Sequence, residues 1–147
     1  MVADRPWYGS YPQGVPHEID MDEYRSVVDV FETAVARFRD LPAFSNFGKR
    51  ISYAELDRLS QQFASYLLNE LKLKKGDRVA IMMPNCLQYP IAVFGVLRAG
   101  LTVVNVNPLY TPRELKHQLV DAGAAALVVV DNFGATVQEV IAQTPVR

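Results

Sequence analysis

The second half of the chain alternates between apolar runs and segments of helical periodicity. Three runs are apolar almost throughout, at residues 78–82, 101–104 and 125–130. Strands without polar alternation are typical of a parallel sheet that is covered by helices on both faces. The intervening segments have apolar residues three and four positions apart, which predicts helices. We therefore predict an α/β fold, a βαβαβα unit with right-handed crossovers.

The three predicted helices of this unit cover residues 86–99, 112–122 and 135–142. Asn85 and Gln88 form an N-cap pattern for the first of these helices. Thr111, Pro112 and Glu114 form a capping box, with proline in the first helical position, at the start of the second.

The first half predicts a helix, a small hairpin and a second helix. Residues 25–39 have the apolar spacing of an amphipathic helix. Residues 43–47 and 50–52, separated by Gly48-Lys49, predict two short antiparallel strands. Ser52 with Glu55 gives another capping-box pattern, which opens the second helix.

Residues 1–24 are interrupted by several prolines and glycines, so we predict an extended arm without regular structure. The arm carries Trp7, Tyr8 and Tyr11, whose apolar rings need a surface. That surface is the body of the chain, a second subunit or a membrane interface. We expect residues 25–147 to form an incomplete α/β subdomain, because three parallel strands make a thin sheet.

Ligands of open parallel sheets bind beyond the carboxyl ends of the strands. The strand at 101–104 is followed by Asn105 and Asn107, which we expect to terminate it. The loops that contain Pro84-Asn85, residues 105–110 and residues 131–134 are therefore the predicted functional edge.

Composition excludes several classes of protein. The 147 residues include 15 basic and 16 acidic side chains, so no basic surface for nucleic acid is expected. A single cysteine, Cys86, excludes an intramolecular disulfide framework, and no cysteine and histidine cluster suggests structural zinc. The apolar runs are shorter than the roughly 18 residues of a membrane span. We expect a soluble, cytoplasmic chain.

Individual residues give weaker signals. Gly95 and Gly100 lack the lysine and hydroxyl residues of a phosphate loop, so helix packing is the favoured interpretation. Cys86 is interpreted as a small buried filler. A basic group at residues 72–78 is either a solvated face or a contact for anionic lipid.

Several motifs occur together in an order and spacing typical of one enzyme family. They are Ser52-Tyr53-Ala54-Glu55-Leu56, Gly76-Asp77-Arg78-Val79-Ala80, Met83-Pro84-Asn85, Leu97-Arg98-Ala99-Gly100 and Asn107-Pro108-Leu109-Tyr110-Thr111-Pro112-Arg113-Glu114-Leu115. With Leu87-Gln88-Tyr89-Pro90, they resemble the AMP-forming acyl-CoA synthetases, particularly bacterial long-chain fatty acid CoA ligases. The resemblance covers essentially the whole chain but only the N-terminal part of such an enzyme.

The resemblance implies a two-step reaction. ATP and Mg²⁺ convert a fatty acid to an acyl-adenylate, and the thiol of CoA then displaces AMP. The family's phosphate loop, Mg²⁺ and adenine segment, ribose-binding aspartate and catalytic lysine have no match in residues 1–147, so we expect no catalytic residue, no bound metal and no activity on this chain alone.

The resemblance also implies candidate binding residues. In some relatives the loop after the second sheet strand lies beside the CoA adenine, and Asn107, Pro108 and Leu109 occupy the matching positions here. A simple turn between strand and helix is the alternative. In long-chain relatives the arm contributes to a homodimer, which favours subunit packing for Trp7, Tyr8 and Tyr11. Peripheral contact with the inner membrane is implied in the same way.

Two other classes of function stay open at this stage. A free-standing α/β interaction or binding module would keep the fold without catalysis. A small flavodoxin-like ligand domain has the predicted topology but no phosphate loop. An intact mass well above that of 147 residues, or a reading frame that continues past Arg147, would favour the ligase.

Overall fold

A computed structural model describes residues 5–147, and residues 1–4 of the predicted arm lie outside the described part. The main elements are α1 (Val27–Phe38), β1 (Pro42–Asn46), β2 (Lys49–Ser52), α2 (Tyr53–Asn69), β3 (Arg78–Met82), α3 (Gln88–Arg98), β4 (Thr102–Val106), α4 (Pro112–Asp121), β5 (Ala124–Val129) and α5 (Gly134–Gln138). Single turns of 3₁₀-helix cover Pro6–Ser10, Asp131–Phe133 and Ile141–Gln143.

The strands β3, β4 and β5 form a parallel sheet in which β3 is central. Ala80 of β3 lies opposite Val104 of β4 and Leu127 of β5. The four residues from Val79 to Met82 are at most 1% exposed, because strands flank β3 and helices cover both of its faces. This confirms the predicted parallel α/β fold.

The two faces of the sheet carry separate cores, because successive side chains of β3 point in opposite directions. Val79 and Ile81 pack in one cluster with residues of α2 and α3. Ala80 and Met82 pack in the other with Leu115 of α4 and neighbouring apolar side chains. The helices after β3 and β4 therefore lie on opposite faces.

Each outer edge of the sheet makes a different kind of hydrogen bond. At β4, the Asn105 carbonyl accepts a bond of 2.9 Å from the Gln118 side-chain amide. At β5, the Ala125 carbonyl accepts a bond of 3.1 Å from the backbone N–H of Arg147.

The helix α1 and the hairpin of β1 and β2 pack over a smaller core beside the sheet. Phe31 of α1 stacks on Phe94 of α3, with ring centroids 4.0 Å apart. Ile51 of β2 and Leu56 of α2 are also buried in this cluster. These contacts fix the hairpin beside the start of α3.

One buried arginine joins three helices. Arg98 of α3 donates to the Asp57 carboxylate at 2.6 Å and to the Ser60 hydroxyl at 3.0 Å, both on α2. Its guanidinium also lies 5.0 Å from the Phe31 ring of α1 and 3.3 Å from Glu32. A buried arginine needs such partners, because an unpaired buried charge is strongly destabilising.

Arg78 belongs to the predicted basic group at residues 72–78, and its side chain makes structural hydrogen bonds. Its guanidinium donates to the carbonyls of Ala122 and Gly123 at 3.0 and 2.8 Å. These carbonyls follow the last turn of α4, where a cation satisfies both the free acceptors and the helix dipole. Arg78 is thus engaged within the chain.

Several predicted boundaries were wrong. The turn of the hairpin is Phe47-Gly48, with φ of 45° and 77°, and not Gly48-Lys49. Positive φ at both residues fits a type I′ turn, whose twist matches the flanking strands. The strand β4 continues through Asn105 to Val106, because the Tyr89 and Gln118 side chains satisfy polar groups of Asn105 within the strand.

Several helices also begin or end at residues other than the predicted ones. Asn85 does not cap α3, which begins at Gln88 without a side-chain cap. The predicted last helix is reduced to α5 and a 3₁₀ turn. The predicted arm contains the 3₁₀ turn at Pro6–Ser10, because proline is well suited to a first helical position. Within residues 5–147, no helix combines the length and apolar character needed to cross a bilayer.

Gly95 permits the close packing of α2 and α3. A Cβ atom at this position would lie 2.7 Å from Cδ1 of Phe63 and 3.1 Å from the backbone oxygen of Ser60. The backbone oxygen belongs to a helix and cannot move independently. Glycine has a low helix propensity and weakens α3 locally. The close packing of α2 against α3 nevertheless requires it at this position.

We predict that Gly95→Ala destabilises the protein by about 1–3 kcal/mol, as expected for overpacking of a core. In an exposed helix the same substitution would stabilise by about 1 kcal/mol, so the sign identifies the steric cause. Urea denaturation measures the change. Gly134→Ala is the matched control, since no atom lies within 4 Å of its added Cβ. An unchanged or increased stability of Gly95→Ala would contradict the prediction.

Candidate functional site

The carboxyl ends of β3, β4 and β5 lie at one edge of the sheet, because the strands are parallel. The chain leaves β3 toward the face that carries α3, and it leaves β5 toward the face that packs with α4. Neighbouring strands whose connections diverge in this way define a topological switch point, where ligands bind in open α/β sheets. The switch point here lies between β3 and β5.

The loop after β3 borders a cleft against the hairpin. The Asn46 side chain donates to the Asn85 carbonyl at 3.2 Å, which ties the hairpin to this loop. The cleft has a volume of about 320 Å³ and is lined by Phe44, Ser45, Asn46, Asn85, Cys86, Leu87, Tyr89 and Pro90. Cys86 is partly buried, with its sulfur 3.9 Å from that of Met83. The expectation of a buried filler is thus only partly met.

Asn105 connects both layers of helices to the end of β4. The Tyr89 hydroxyl of α3 donates to the Asn105 side-chain oxygen at 2.9 Å. The Gln118 side chain of α4 donates to the Asn105 carbonyl on the other side. Asn105 therefore holds the end of β4 in place just before the next loop.

Asn107, Pro108 and Leu109 form that next loop, which is a tight turn. The Asn107 side-chain oxygen accepts from the Leu109 N–H at 3.0 Å, and the Asn107 carbonyl accepts from the Tyr110 N–H at 3.1 Å. A hydrogen bond from a backbone N–H to the Asn side chain two residues earlier, an Asx turn, rigidifies the loop without help from other elements. Leu109 is 81% exposed. The turn thus presents an apolar side chain at the carboxyl edge of the sheet.

The capping box at the start of α4 is complete. The Thr111 hydroxyl accepts from the Glu114 N–H at 3.4 Å, and the Glu114 carboxylate accepts from the Thr111 N–H at 2.8 Å and its hydroxyl at 2.7 Å. Hydrogen bonds from the side chain and backbone of Thr111 lower the pKa of Glu114. Charged Glu114 thereby fixes the C-terminal side of the Asn107 turn.

The loop after β5 is a 3₁₀ turn over Asp131–Phe133. Asp131 and Asn132 are exposed, whereas Phe133 packs against the core beneath α4. The switch point is therefore bordered by the exposed polar residues Asn85, Asp131 and Asn132.

Trp7, Tyr8 and Tyr11 cluster with His17 within the arm. Tyr8 stacks on His17 at 4.2 Å between centroids, and Tyr11 meets both rings edge-on. The Tyr8 hydroxyl donates to Glu18 at 2.7 Å, and Arg5 pairs with the same carboxylate. Both interactions lower the pKa of Glu18. Trp7 remains 56% exposed, so this cluster leaves an aromatic surface open.

Comparison with known proteins identifies the family. The model of the AMP-binding enzyme family matches residues 31–146. The chain belongs to the AMP-binding enzyme family.

The curated relatives are long-chain-fatty-acid–CoA ligases. One from Escherichia coli is 57% identical over 141 residues, which cover 96% of this chain and 25% of the relative. One from Yersinia pestis is 56% identical over 144 residues, covering 98% of this chain and 26% of the relative. The chain thus spans about a quarter of the length of the curated relatives it matches.

Solved structures support the same fold. A long-chain-fatty-acid-CoA ligase from Archaeoglobus fulgidus superposes with a TM-score of 0.73 at 26% identity, over 81% of this chain and 25% of that one. An anthranilate CoA ligase in complex with anthranoyl-AMP reaches a TM-score of 0.78 at 20% identity, over 83% of this chain and 23% of that one, which concerns the fold alone.

The AMP-binding family implies use of ATP, whose phosphates often bind together with a metal ion. Within residues 5–147, no three His, Cys, Asp or Glu side chains come together as metal ligands. Hard cations such as Mg²⁺ prefer oxygen ligands from carboxylates and phosphates.

The sequence motifs located this edge of the AMP-binding fold but missed two of its contacts. The hydrogen bond between Asn46 and Asn85 joins residues 39 positions apart, and no local pattern pairs them, although Asn85 belongs to the Met83-Pro84-Asn85 motif. The bond between Tyr89 and Asn105 depends on the paths of α3 and β4. Local sequence patterns do not give the order of strands in a sheet either, so the switch point could be identified only from the structure.

Proposed function

We propose that this chain is the N-terminal portion of a long-chain fatty acid CoA ligase. The protein would activate a fatty acid with ATP and Mg²⁺ to an acyl-adenylate and transfer the acyl group to CoA. The identity of 57% over 141 residues to the Escherichia coli ligase carries this proposal.

The role proposed for the chain within the enzyme is structural and positional. The sheet of β3, β4 and β5 presents its loops at one edge, while the chemical groups for adenylation come from other parts of the protein. Phosphoryl transfer depends on positioned cations and hydrogen-bond donors around the phosphates. No motif of residues 1–147 supplies such a group.

We predict fatty-acid-dependent exchange of pyrophosphate into ATP by the full-length protein and none by residues 1–147 alone. Radiolabelled pyrophosphate with a long-chain fatty acid measures this first step independently of CoA. A matched reaction without fatty acid is the control. Exchange by the 147-residue chain would contradict its proposed lack of catalytic groups. Absence of exchange by the full-length protein would favour a binding module without catalysis.

We further propose that Asn107, Pro108 and Leu109 contact CoA. Their turn is held by two hydrogen bonds, and Leu109 is exposed at the sheet edge. A rigid turn with an exposed apolar side chain suits contact with an adenine ring, because little ordering is needed on binding.

We predict that Asn107→Ala raises the KM for CoA about fivefold in the full-length enzyme, as expected for one neutral hydrogen bond. The KM for ATP should stay unchanged, since only the turn is loosened. Asn69→Ala is the control, because it removes a side-chain amide that bonds Ser65 within α2 and leaves the turn unchanged. An unchanged KM for CoA in Asn107→Ala would exclude this contact.

The cluster of Trp7, Tyr8 and Tyr11 is proposed as the arm of a homodimer. Trp7 and Tyr11 keep exposed surface after packing with Tyr8 and His17. Aromatic side chains with a fixed orientation are favourable interface residues. The proposed location is the cytoplasm, with peripheral contact at the membrane.

We predict that Trp7→Ala weakens dimerisation of the full-length protein by about 30-fold in Kd, the effect of an interface hot spot. Sedimentation equilibrium over a range of concentrations measures the change. Tyr66→Ala removes a comparably exposed aromatic ring from α2 and serves as the control. A protein that is monomeric before substitution, or a Kd equal in both variants, would contradict the dimer arm.

A further inference from the structure

The tip of the hairpin combines two unfavourable features in one residue. Phe47 is 99% exposed, and its backbone has a φ of 45°. Bulky residues rarely adopt positive φ, and a type I′ turn favours asparagine before glycine. Phe47 therefore holds an apolar ring in water and a disfavoured backbone conformation, with no compensating contact in the described part of the chain.

Outliers of this kind point to function when the fold does not need them. Nothing in the hairpin requires an aromatic residue at the turn, because the register of β1 and β2 is set by the pairs Asn46 with Lys49 and Ser45 with Arg50. Asn46 and Ile51 already attach the hairpin to the body. The phenyl ring is free to contact something outside the chain.

The charges around the tip indicate the kind of partner. Lys49 and Arg50 directly follow the turn and are exposed. Residues 45–50 contain two basic residues and no acidic residue, a net charge of +2 in a chain whose total is −1. A strongly exposed aromatic ring beside two cations matches a surface with anionic headgroups above an apolar layer.

We propose that the hairpin tip, with Phe47 inserted and Lys49 and Arg50 on the phosphates, docks on an anionic lipid membrane. This rests on the proposed peripheral contact of the ligase with a membrane and names the surface that makes it. The ring enters the boundary between headgroups and acyl chains, where aromatic side chains are favoured. The two cations remain at headgroup level. Contact through one ring and a few charges is reversible.

The substitution Phe47→Asn separates docking from folding. Asparagine tolerates positive φ and gives the preferred Asn-Gly turn, so the variant should be at least as stable as the parent. We expect its partition onto vesicles of equimolar phosphatidylglycerol and phosphatidylcholine to fall about tenfold, because the apolar ring is lost. Co-sedimentation of the full-length protein with these vesicles measures the partition, and Phe47→Trp should retain it.

The cations are tested with Lys49→Gln and Arg50→Gln. Each should lower the partition onto anionic vesicles about fivefold and reduce its dependence on salt. Vesicles of phosphatidylcholine alone should bind the parent protein weakly. Met21→Asn is the matched control, because Met21 is 82% exposed but lies between Asp20 and Asp22. It should bind as the parent does.

The rate of acyl-CoA formation in the absence of vesicles distinguishes membrane docking from the proposed ligase activity. Phe47→Asn should leave this rate unchanged. Equal partition of Phe47→Asn and the parent would overturn the proposal. So would an equal loss in Met21→Asn. Protection of Phe47→Cys from a water-soluble maleimide in the vesicle-free, full-length protein would also overturn it, because another part of the protein would then cover the tip.

Discussion

The rest of the structure depends on the complete burial of β3. Its apolar side chains point to both sides of the sheet, so neither face of the strand can be left to solvent. One face is closed by α2 and α3, and the other by α4 and the segment after β5. Because β4 and β5 occupy the two sides of β3, the connections must diverge. The same burial that stabilises the sheet thus creates the switch point at its carboxyl edge.

A second layer of packing depends on α3. Gly95 lets α2 approach closely, and Arg98 joins α2 and α1 through carboxylate, hydroxyl and aromatic contacts. This arrangement places α1 and the hairpin beside the start of α3. The cleft near Asn85 therefore results from contacts at the opposite end of α3 as well as from its own residues.

Sequence patterns predicted most of the elements because their local signals agree with the tertiary structure. The range 78–82 of β3 was predicted without error, since the apolar run from Val79 to Met82 has no polar interruption. The capping residues Thr111 and Glu114 located the start of α4 for an equally local reason. One error occurred where a tertiary contact outweighs local preference, because Asn105 continues a strand when Tyr89 and Gln118 bind it. The position of the hairpin turn was missed for a different reason, since Phe47 occupies a turn position that favours asparagine. The candidate turn at residues 107–109 came from the family resemblance, and its two hydrogen bonds became known only from the fold.

The two outer strands of the sheet are completed by different kinds of hydrogen bond. At β4, a side chain occupies the carbonyl of Asn105, so an incoming strand would have to displace Gln118. At β5, the carbonyl of Ala125, where the register of the strand shifts, accepts the backbone N–H of Arg147. An unprotected edge invites pairing with any extended segment. The two outer strands are therefore protected unequally, so that loss of the Gln118 side chain would uncover β4 while β5 would keep its main-chain bond.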